Sequence, residues 1–336
     1  MKTTKIIGTG SCVPDRIVTN DELAGVVDTS DSWIQERTGI CRRHISVKET
    51  TSELAAEAAR AAVLDAGILP EDLGLIIAAT SSADTVMPTV ACRVQAALGN
   101  RSAVCFDLNA ACSGFLYSLN VAHSMIKSGL CSTALVVGAE NMSKTIDWTD
   151  RGTCVLFGDG AGACVLQASD DGWISTVSGA DGLRGDVLTY AGNTLHNFLT
   201  APLSGETPYM KMDGQAVFKF AVKTVPACIN SLLEQAGCRK QDVRWYLLHQ
   251  ANERIISAAA RRLGEPIEKF PINLNEYGNT SAASIPILLD EMNREGRLEQ
   301  GDKIVLAGFG AGLTWGATLL TWQDDHRKMN GTKKGK

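Results

Sequence analysis

The chain has no C-x-x-C pair and no cluster of histidines near its ten cysteines, at positions 12, 41, 92, 105, 112, 131, 154, 164, 228 and 238; His44 alone stands close to one, three residues after Cys41. Those two absences argue against a zinc framework and against a disulfide scaffold. Most of the cysteines sit among apolar neighbours, Cys105 in AVCF and Cys164 in GACVL, where a free thiol packs as a small hydrophobe, so a reducing compartment is expected. No apolar run reaches the ~18 residues of a membrane span, and MKTTKIIGTGSCVP runs into an apolar strand and a turn where a signal peptide needs a cleavage site. An excess of positive charge is also missing. The net charge of −5 argues against bulk attraction to nucleic acid or an anionic membrane, though not against a local basic patch. The expectation is a cytoplasmic protein with no nucleic acid, no membrane and no metal among its partners.

The glycine-rich runs lack what nucleotide loops need. GTGSCVP at 8–14 has no third glycine and meets Pro14 at once, while FGDGAGA (157–163) and GFGAGLTWG (308–316) have no Lys-Ser/Thr ending. Such glycines suit tight turns where backbone N–H groups point at a substrate oxygen.

What is present is length and repetition. At 336 residues, 45% hydrophobic and 21% charged, the chain is long enough for two domain-sized halves with a large core. It repeats itself at a shift of 170: Ala66-Gly67 and Glu71-Asp72-Leu73 recur as Ala236-Gly237 and Gln241-Asp242-Val243, Asn109 falls on Asn279, and Leu135-Val136-Val137-Gly138 falls on Val305-Leu306-Ala307-Gly308. Each copy reads helix, strand, turn, helix, strand, an α/β unit with a mostly buried sheet. Thr50-x-x-Glu53 predicts a capping box for a helix ending at Gly67. Phe115, Leu119, Ala122 and Ile126 predict a helix from near Cys112, stopped by Lys127 and Gly129, and the second copy places a helix at about 282–295. The expected halves are 1–172 and 173–325, with 326–336 a disordered basic tail.

Cys112 is thus expected at a strand-to-helix junction among the small residues of NAACSGF. A helix N-terminus favours thiolate over thiol; lowering the pKa from about 8.5 to about 7 would raise the thiolate fraction at neutral pH to roughly half. A buried structural cysteine is the alternative. His249 ends the strand VRWYLL and suits catalysis or a hydrogen-bonded core equally. Asn279 in YGNTSAAS suits a turn or N-cap as well as a site.

Taken together, TSDSWIQERTGICRRH (29–44), NAACSGFLYSL (109–119), DRGTCVLFGDGAGA (150–163), LLHQANERII (247–256), YGNTSAAS (277–284) and GFGAGLTWG (308–316) resemble the β-ketoacyl-acyl-carrier-protein synthase III enzymes of the thiolase superfamily, in that family's order and spacing. The resemblance implies a five-layer αβαβα thiolase-like fold of two pseudo-symmetric halves and a Cys112-His249-Asn279 triad. The implied reaction is a decarboxylating Claisen condensation of an acyl-CoA primer with malonyl-acyl carrier protein. No cofactor is implied. The backbone of Cys112 and of Ala311, where the family often has Gly, would form the oxyanion hole. Trp33, Arg37, Arg151, Gly152, Gly214, Phe218, Asn252 and Phe309 would bind CoA or line the pantetheine channel, with adenine between Trp33 and Arg151. Met87 would reach the acyl pocket of the partner in a homodimer. Lys219, Arg254, Arg261 and Arg262 would dock the acidic carrier protein. A Cys-His-Asn condensing enzyme of secondary metabolism, a thioester hydrolase and an inactive partner subunit are the alternatives.

Overall fold

The computed structural model describes residues 3–170, 172, 174–192 and 209–323. The segment 326–336 lies outside the described residues, as do His196 and His326. Among the described residues, nine strands make the two large sheets. The first takes β1 (Thr3–Cys12), β2 (Leu75–Ala79), β3 (Val104–Leu108), β4 (Thr133–Asn141) and β5 (Asp159–Ser169) in the order β1-β5-β4-β2-β3. The second takes β6 (Ile174–Ala180), β7 (Trp245–Leu248), β8 (Lys303–Gly310) and β9 (Thr314–Thr321) in the order β7-β8-β9-β6.

The duplication extends to register. Parallel β2 and β4 set Leu75 beside Ala134, and parallel β7 and β8 set Trp245 beside Ile304, the same pairs moved by 170. Each half returns through an antiparallel strand, β5 on β4 and β9 on β8, to its own first strand. The first half has β3 in addition, at the sheet's outer edge. The chain passes from one sheet to the other between Ser169 and Ile174.

Strand alternation sorts the core into layers, because successive side chains point to opposite faces. Leu75, Ile77 and Val136 of the first sheet, with Leu247, Ile304 and Leu306 of the second, face inward onto two helices, α4 (Gly114–Lys127) and α7 (Ser284–Arg294). Their neighbours Ile76, Ala78, Leu135 and Val137 face outward onto α2 (Thr51–Ala66) and α3 (Val90–Leu98). Tyr246, Leu248, Val305 and Ala307 do the same toward α5 (Gly214–Gln235) and α6 (Glu253–Leu263). Helix, sheet, helix pair, sheet, helix is the five-layer arrangement. Gly138 permits the inner contact: a Cβ there would lie 2.3 Å from the carbonyl oxygen of Ala282, where the second copy's turn presses on the first sheet.

The helix ends follow local chemistry. Thr50 and Glu53 form the reciprocal capping box, and Gly67 closes α2 at φ +63°. Helices α4 and α7 begin slightly later than their apolar periodicity suggests, because a 3₁₀ turn precedes each, Ala111–Ser113 and Ser281–Ala283. Helix α5 is long and apolar enough to cross a membrane by length and composition, with mean hydropathy 1.3 over its best window. Its Val225, Ile229, Leu232 and Leu233 are buried against the second sheet, which marks it as a core helix.

Candidate active site

The two 3₁₀ turns face each other across the pseudo-symmetric centre. Each opens on a non-glycine residue in the left-handed region, Ala111 at φ +47° and its counterpart Ser281 at φ +49°. Each is held the same way, by an asparagine two residues upstream whose Oδ1 accepts the turn's N–H: Ala111 to Asn109 at 3.1 Å and Ser281 to Asn279 at 2.9 Å. The paired turns bring the Ser281 hydroxyl to 3.4 Å from the Cys112 sulfur.

That hydrogen bond orients Asn279. With Oδ1 taken by the Ser281 N–H, the Nδ2 group is the end left to donate into the pocket that Asn279 lines. Its backbone is pinned as well, Asn279 N–H to the Leu156 carbonyl at 2.8 Å and the Gly158 N–H to its own carbonyl at 3.1 Å.

His249 leaves the end of β7 with its N–H on the Ala307 carbonyl at 2.8 Å, its ring edge-on to Phe309 and its Nδ1 2.7 Å from the Ser284 hydroxyl. Ser284 Oγ also accepts the Gln250 N–H at 3.4 Å; with its own proton given to Nδ1, the ring carries its hydrogen on Nε2. Burial pushes the imidazole down to about 3, because the charged form has no counter-ion to replace the water it loses. Burial thus favours the neutral imidazole at His249.

Burial acts on Cys112 in the same sense, favouring its neutral form. It pushes the thiol up to about 11, opposed by the Ser281 hydrogen bond and reinforced by the nearby Glu140 carboxylate. This direction is opposite to the lowering expected from a helix N-terminus. Its causes are removal from water and a neighbouring negative charge, and Cys112 sits in a 3₁₀ turn that precedes α4 instead of on the helix's own first turn.

All three residues line one pocket of about 650 Å³, together with Trp33, Arg37, Arg151, Gly152, Gly214, Phe218, Asn252, Phe309 and Ala311. Arg37, Arg151 and Gly152 stand exposed at its rim, while His249 and Asn279 lie buried at its base. Two guanidinium groups lie over the Trp33 ring, Arg37 at 4.7 Å and Arg151 at 4.8 Å from its centroid. Arg151 therefore occupies the face expected for a purine. Asn252 caps α6 and donates its amide to the Arg37 carbonyl at 2.9 Å, joining helix α1 (Asp31–Thr38) to the rim. Ala311 accepts the Thr314 hydroxyl at 3.0 Å, and the same hydroxyl reaches Ala110 at 3.1 Å, tying the glycine-rich loop to the Cys112 turn.

Five predicted residues lie elsewhere. Met87 does not line this chain's pocket and is 83% exposed beside Pro88. Lys219, Arg254, Arg261 and Arg262 are exposed on α5 and α6, and the three arginines border a groove of about 760 Å³ between those helices. Arg254 lies over the Phe218 ring, and Arg262 donates to the Val222 carbonyl at 2.7 Å. Sequence reasoning missed Ser281, Ser284, Glu140 and Thr314. Three of them carried a signal, Ser281 and Ser284 as members of NTSAAS at the matched junction and Thr314 as a member of GFGAGLTWG, whereas Glu140 reads as an ordinary strand-end residue.

A β-ketoacyl-[acyl-carrier-protein] synthase III of Clostridium acetobutylicum is 50% identical over 323 residues, covering 96% of this chain and 99% of that protein. The chain belongs to the 3-oxoacyl-[acyl-carrier-protein] synthase III family. The family's own models match residues 106–182 and, as its C-terminal part, 233–322. The crystal structure of a synthase III from Aquifex aeolicus superposes with a TM-score of 0.89 at 44% identity, covering 95% of this chain and all of the other. The priming β-ketosynthase of the R1128 polyketide pathway superposes at 0.90 with 36% identity, covering 96% and 97%. This synthase III is an acyltransferase of the condensing type, and its five-layer thiolase-like fold is the one its relatives share.

Proposed function

We propose that this synthase III initiates acyl-chain synthesis with Cys112 as nucleophile and with His249 and Asn279 as neutral hydrogen-bond donors to an enolate. The observation that supports the reading is the arrangement of the two donors: Asn279 is turned amide-first by the Ser281 N–H, and His249, kept neutral by burial, has its Nδ1 on the Ser284 hydroxyl and so leaves Nε2 for the pocket. A Cys112 thiolate adds to the carbonyl carbon of an acyl-CoA. The resulting oxyanion is held by the backbone N–H groups of Cys112 and Ala311, and collapse breaks the C–S bond to CoA. The malonyl thioester then loses carbon dioxide. The electron pair of the broken C–C bond passes into an enolate whose oxygen accepts from His249 and Asn279. The carbanion attacks the acyl carbon, Cys112 leaves, and a β-ketoacyl thioester results. These steps call for no metal or redox cofactor. Product analysis tests the assignment: acetyl-CoA with malonyl-carrier protein gives acetoacetyl-carrier protein, whereas a hydrolase would give acetate and an inactive subunit neither.

Trp33, Arg37 and Arg151 are read as the CoA nucleotide site, since two guanidinium groups over an indole form a stack into which a purine enters when Arg151 swings out. Gly152, Gly214, Phe218, Asn252 and Phe309 are read as the pantetheine channel between that rim and Cys112. The homodimer reading rests on the exposed apolar residues Val86, Met87 and Val104 near the free edge of the first sheet. In such a dimer Met87 closes the partner's acyl pocket, and its flexible thioether admits primers longer or more branched than acetyl. A cytoplasmic location fits ten free cysteines.

The carrier protein is acidic, and this chain's net charge of −5 repels it unless a local patch prevails. Arg254, Arg261 and Arg262 share one face of α6, with Lys219 beside them on α5, next to the Phe218 and Asn252 side of the channel. Arg261→Glu combined with Arg262→Glu is expected to raise the KM for malonyl-carrier protein severalfold at low salt, with acylation by acyl-CoA nearly unchanged. An unaltered carrier KM would move the docking surface elsewhere.

A further inference from the structure

A Cys112 thiolate requires an acceptor for the thiol proton, and His249 already has its Nδ1 engaged with the Ser284 hydroxyl. A different group stands behind the nucleophile. Glu140, at the end of β4, is fully buried. Among the described residues its partners are hydroxyls and one backbone N–H: Thr80 at 3.3 Å, the Ser81 N–H at 3.1 Å and hydroxyl at 2.9 Å, the Ser82 hydroxyl, and Ser281 at 3.1 Å. The Ser281 hydroxyl also contacts the Cys112 sulfur. One hydroxyl thus lies between the nucleophilic sulfur and a buried carboxylate.

We propose that Ser281 and Glu140 form a proton relay that deprotonates Cys112 for acylation. The proposal rests on Cys112 being the nucleophile. A hydroxyl has a single proton, so when Ser281 donates to Glu140 Oε1 its lone pairs face the Cys112 S–H. The S–H bond breaks as its proton passes to Ser281 Oγ, and the Ser281 O–H bond breaks as that proton passes to Glu140. The pair left on sulfur forms the bond to the acyl carbon. CoA departs as a thiolate and is protonated by solvent. When condensation expels Cys112 as thiolate, the proton returns from Glu140 along the same path, leaving the enzyme unchanged.

The neighbourhood suits a carboxylate that shares a proton with a thiol. Desolvation raises the Glu140 pKa, while the hydroxyl donors keep the ionised form available. The titratable groups facing it are few. Cys112 lies across Ser281; Asp159 on the adjacent β5 is bound by Ser46 and Ser143; Asp84, on the loop after Ser82, is paired with Lys144 at 3.0 Å. The loop 80–82 and the turn 281–283 supply hydroxyls and the Ser81 N–H, none of which carries charge.

The relay has a kinetic signature that a merely structural carboxylate lacks. Transfer inside the pair creates thiolate without loss of a proton to solvent, so acylation is independent of pH once Glu140 is ionised. Single-turnover acylation by acetyl-CoA, read by intact mass from pH 6 to 9, is expected to be flat for the native enzyme. Glu140→Gln and Ser281→Ala are each expected to acylate on the order of 100-fold more slowly at pH 7 and to speed up about tenfold per pH unit, because solvent must then take the proton. Ser281→Ala, the smaller change, keeps the test usable if Glu140→Gln folds poorly. If Glu140 acts only as a nearby negative charge, Glu140→Gln acylates faster at every pH with the native slope, which overturns the relay. A native rate that already rises tenfold per unit overturns it too. Acylation of a Cys112→Ala control would instead sink the nucleophile assignment, so the two failures are separable.

Discussion

Cys112→Ala is expected to abolish acyl transfer and condensation together, whereas His249→Ala and Asn279→Ala leave Cys112 acylation detectable and cut malonyl decarboxylation by on the order of 10³-fold. The split follows from which atom each group faces. Acylation needs the sulfur and the two backbone N–H groups; decarboxylation needs donors for a charge that exists only once the C–C bond begins to break. Each removed donor forfeits a hydrogen bond made in a dry site, where replacement by water is restricted. Mass spectrometry of the acyl-enzyme and carbon dioxide release from malonyl-carrier protein separate the steps. The buried imidazole adds a pH criterion. A histidine whose pKa falls from 6.5 to about 3 stays unprotonated in the folded enzyme through the window in which a free imidazole titrates. Native decarboxylation should therefore show no inflection near pH 6.5. The same shift makes folding stability fall as pH drops from 6.5 toward 3, since in that window the unfolded chain takes up a proton that the native site refuses. An acid limb at 6.5 would return His249 to general acid-base work.

Gly310→Ala is expected to eliminate most activity through a single methyl group. A Cβ at that position would sit 2.7 Å from the Cys112 backbone nitrogen and 3.1 Å from its Cβ, and neither atom belongs to a flexible side-chain end. The end of β8 and the nucleophile turn must separate, which moves the sulfur and the Cys112 N–H relative to Ala311. Misplacement of reacting groups by about 1 Å costs on the order of 100-fold in rate. Acylation should fall by at least that much while far-UV circular dichroism stays native. The counter-example within the chain is Gly99, where a Cβ would meet nothing within 4 Å although φ is +75°. Gly99→Ala should cost stability and spare catalysis, and equal catalytic losses in both variants would show that backbone strain, and not crowding at Cys112, explains the effect.

Much of this molecule was legible before any coordinates. The duplication could be read because both halves bury the same alternating strands, and a strand buried on both faces, such as Leu75–Ala79 or Trp245–Leu248, must repeat an apolar pattern wherever it recurs. The capping box at Thr50 and the stop at Gly67 are local, so three or four residues determine them. The resemblance of the six motifs likewise pointed to Cys112, His249 and Asn279, and the structure brings those three residues to one pocket. Tertiary structure alone decided the rest. The direction of the Cys112 shift depends on burial and on Glu140, 28 positions away in sequence, and the helix-end argument counted only local dipoles. The tautomer of His249 depends on Ser284, and the orientation of Asn279 on the Ser281 turn. Glu140 carries no sequence signal, since its role arises from one hydroxyl contributed by the opposite half. Local rules determine elements and caps, whereas desolvation and hydrogen-bond partnership are properties of the space between elements, which only the packed duplicate halves create.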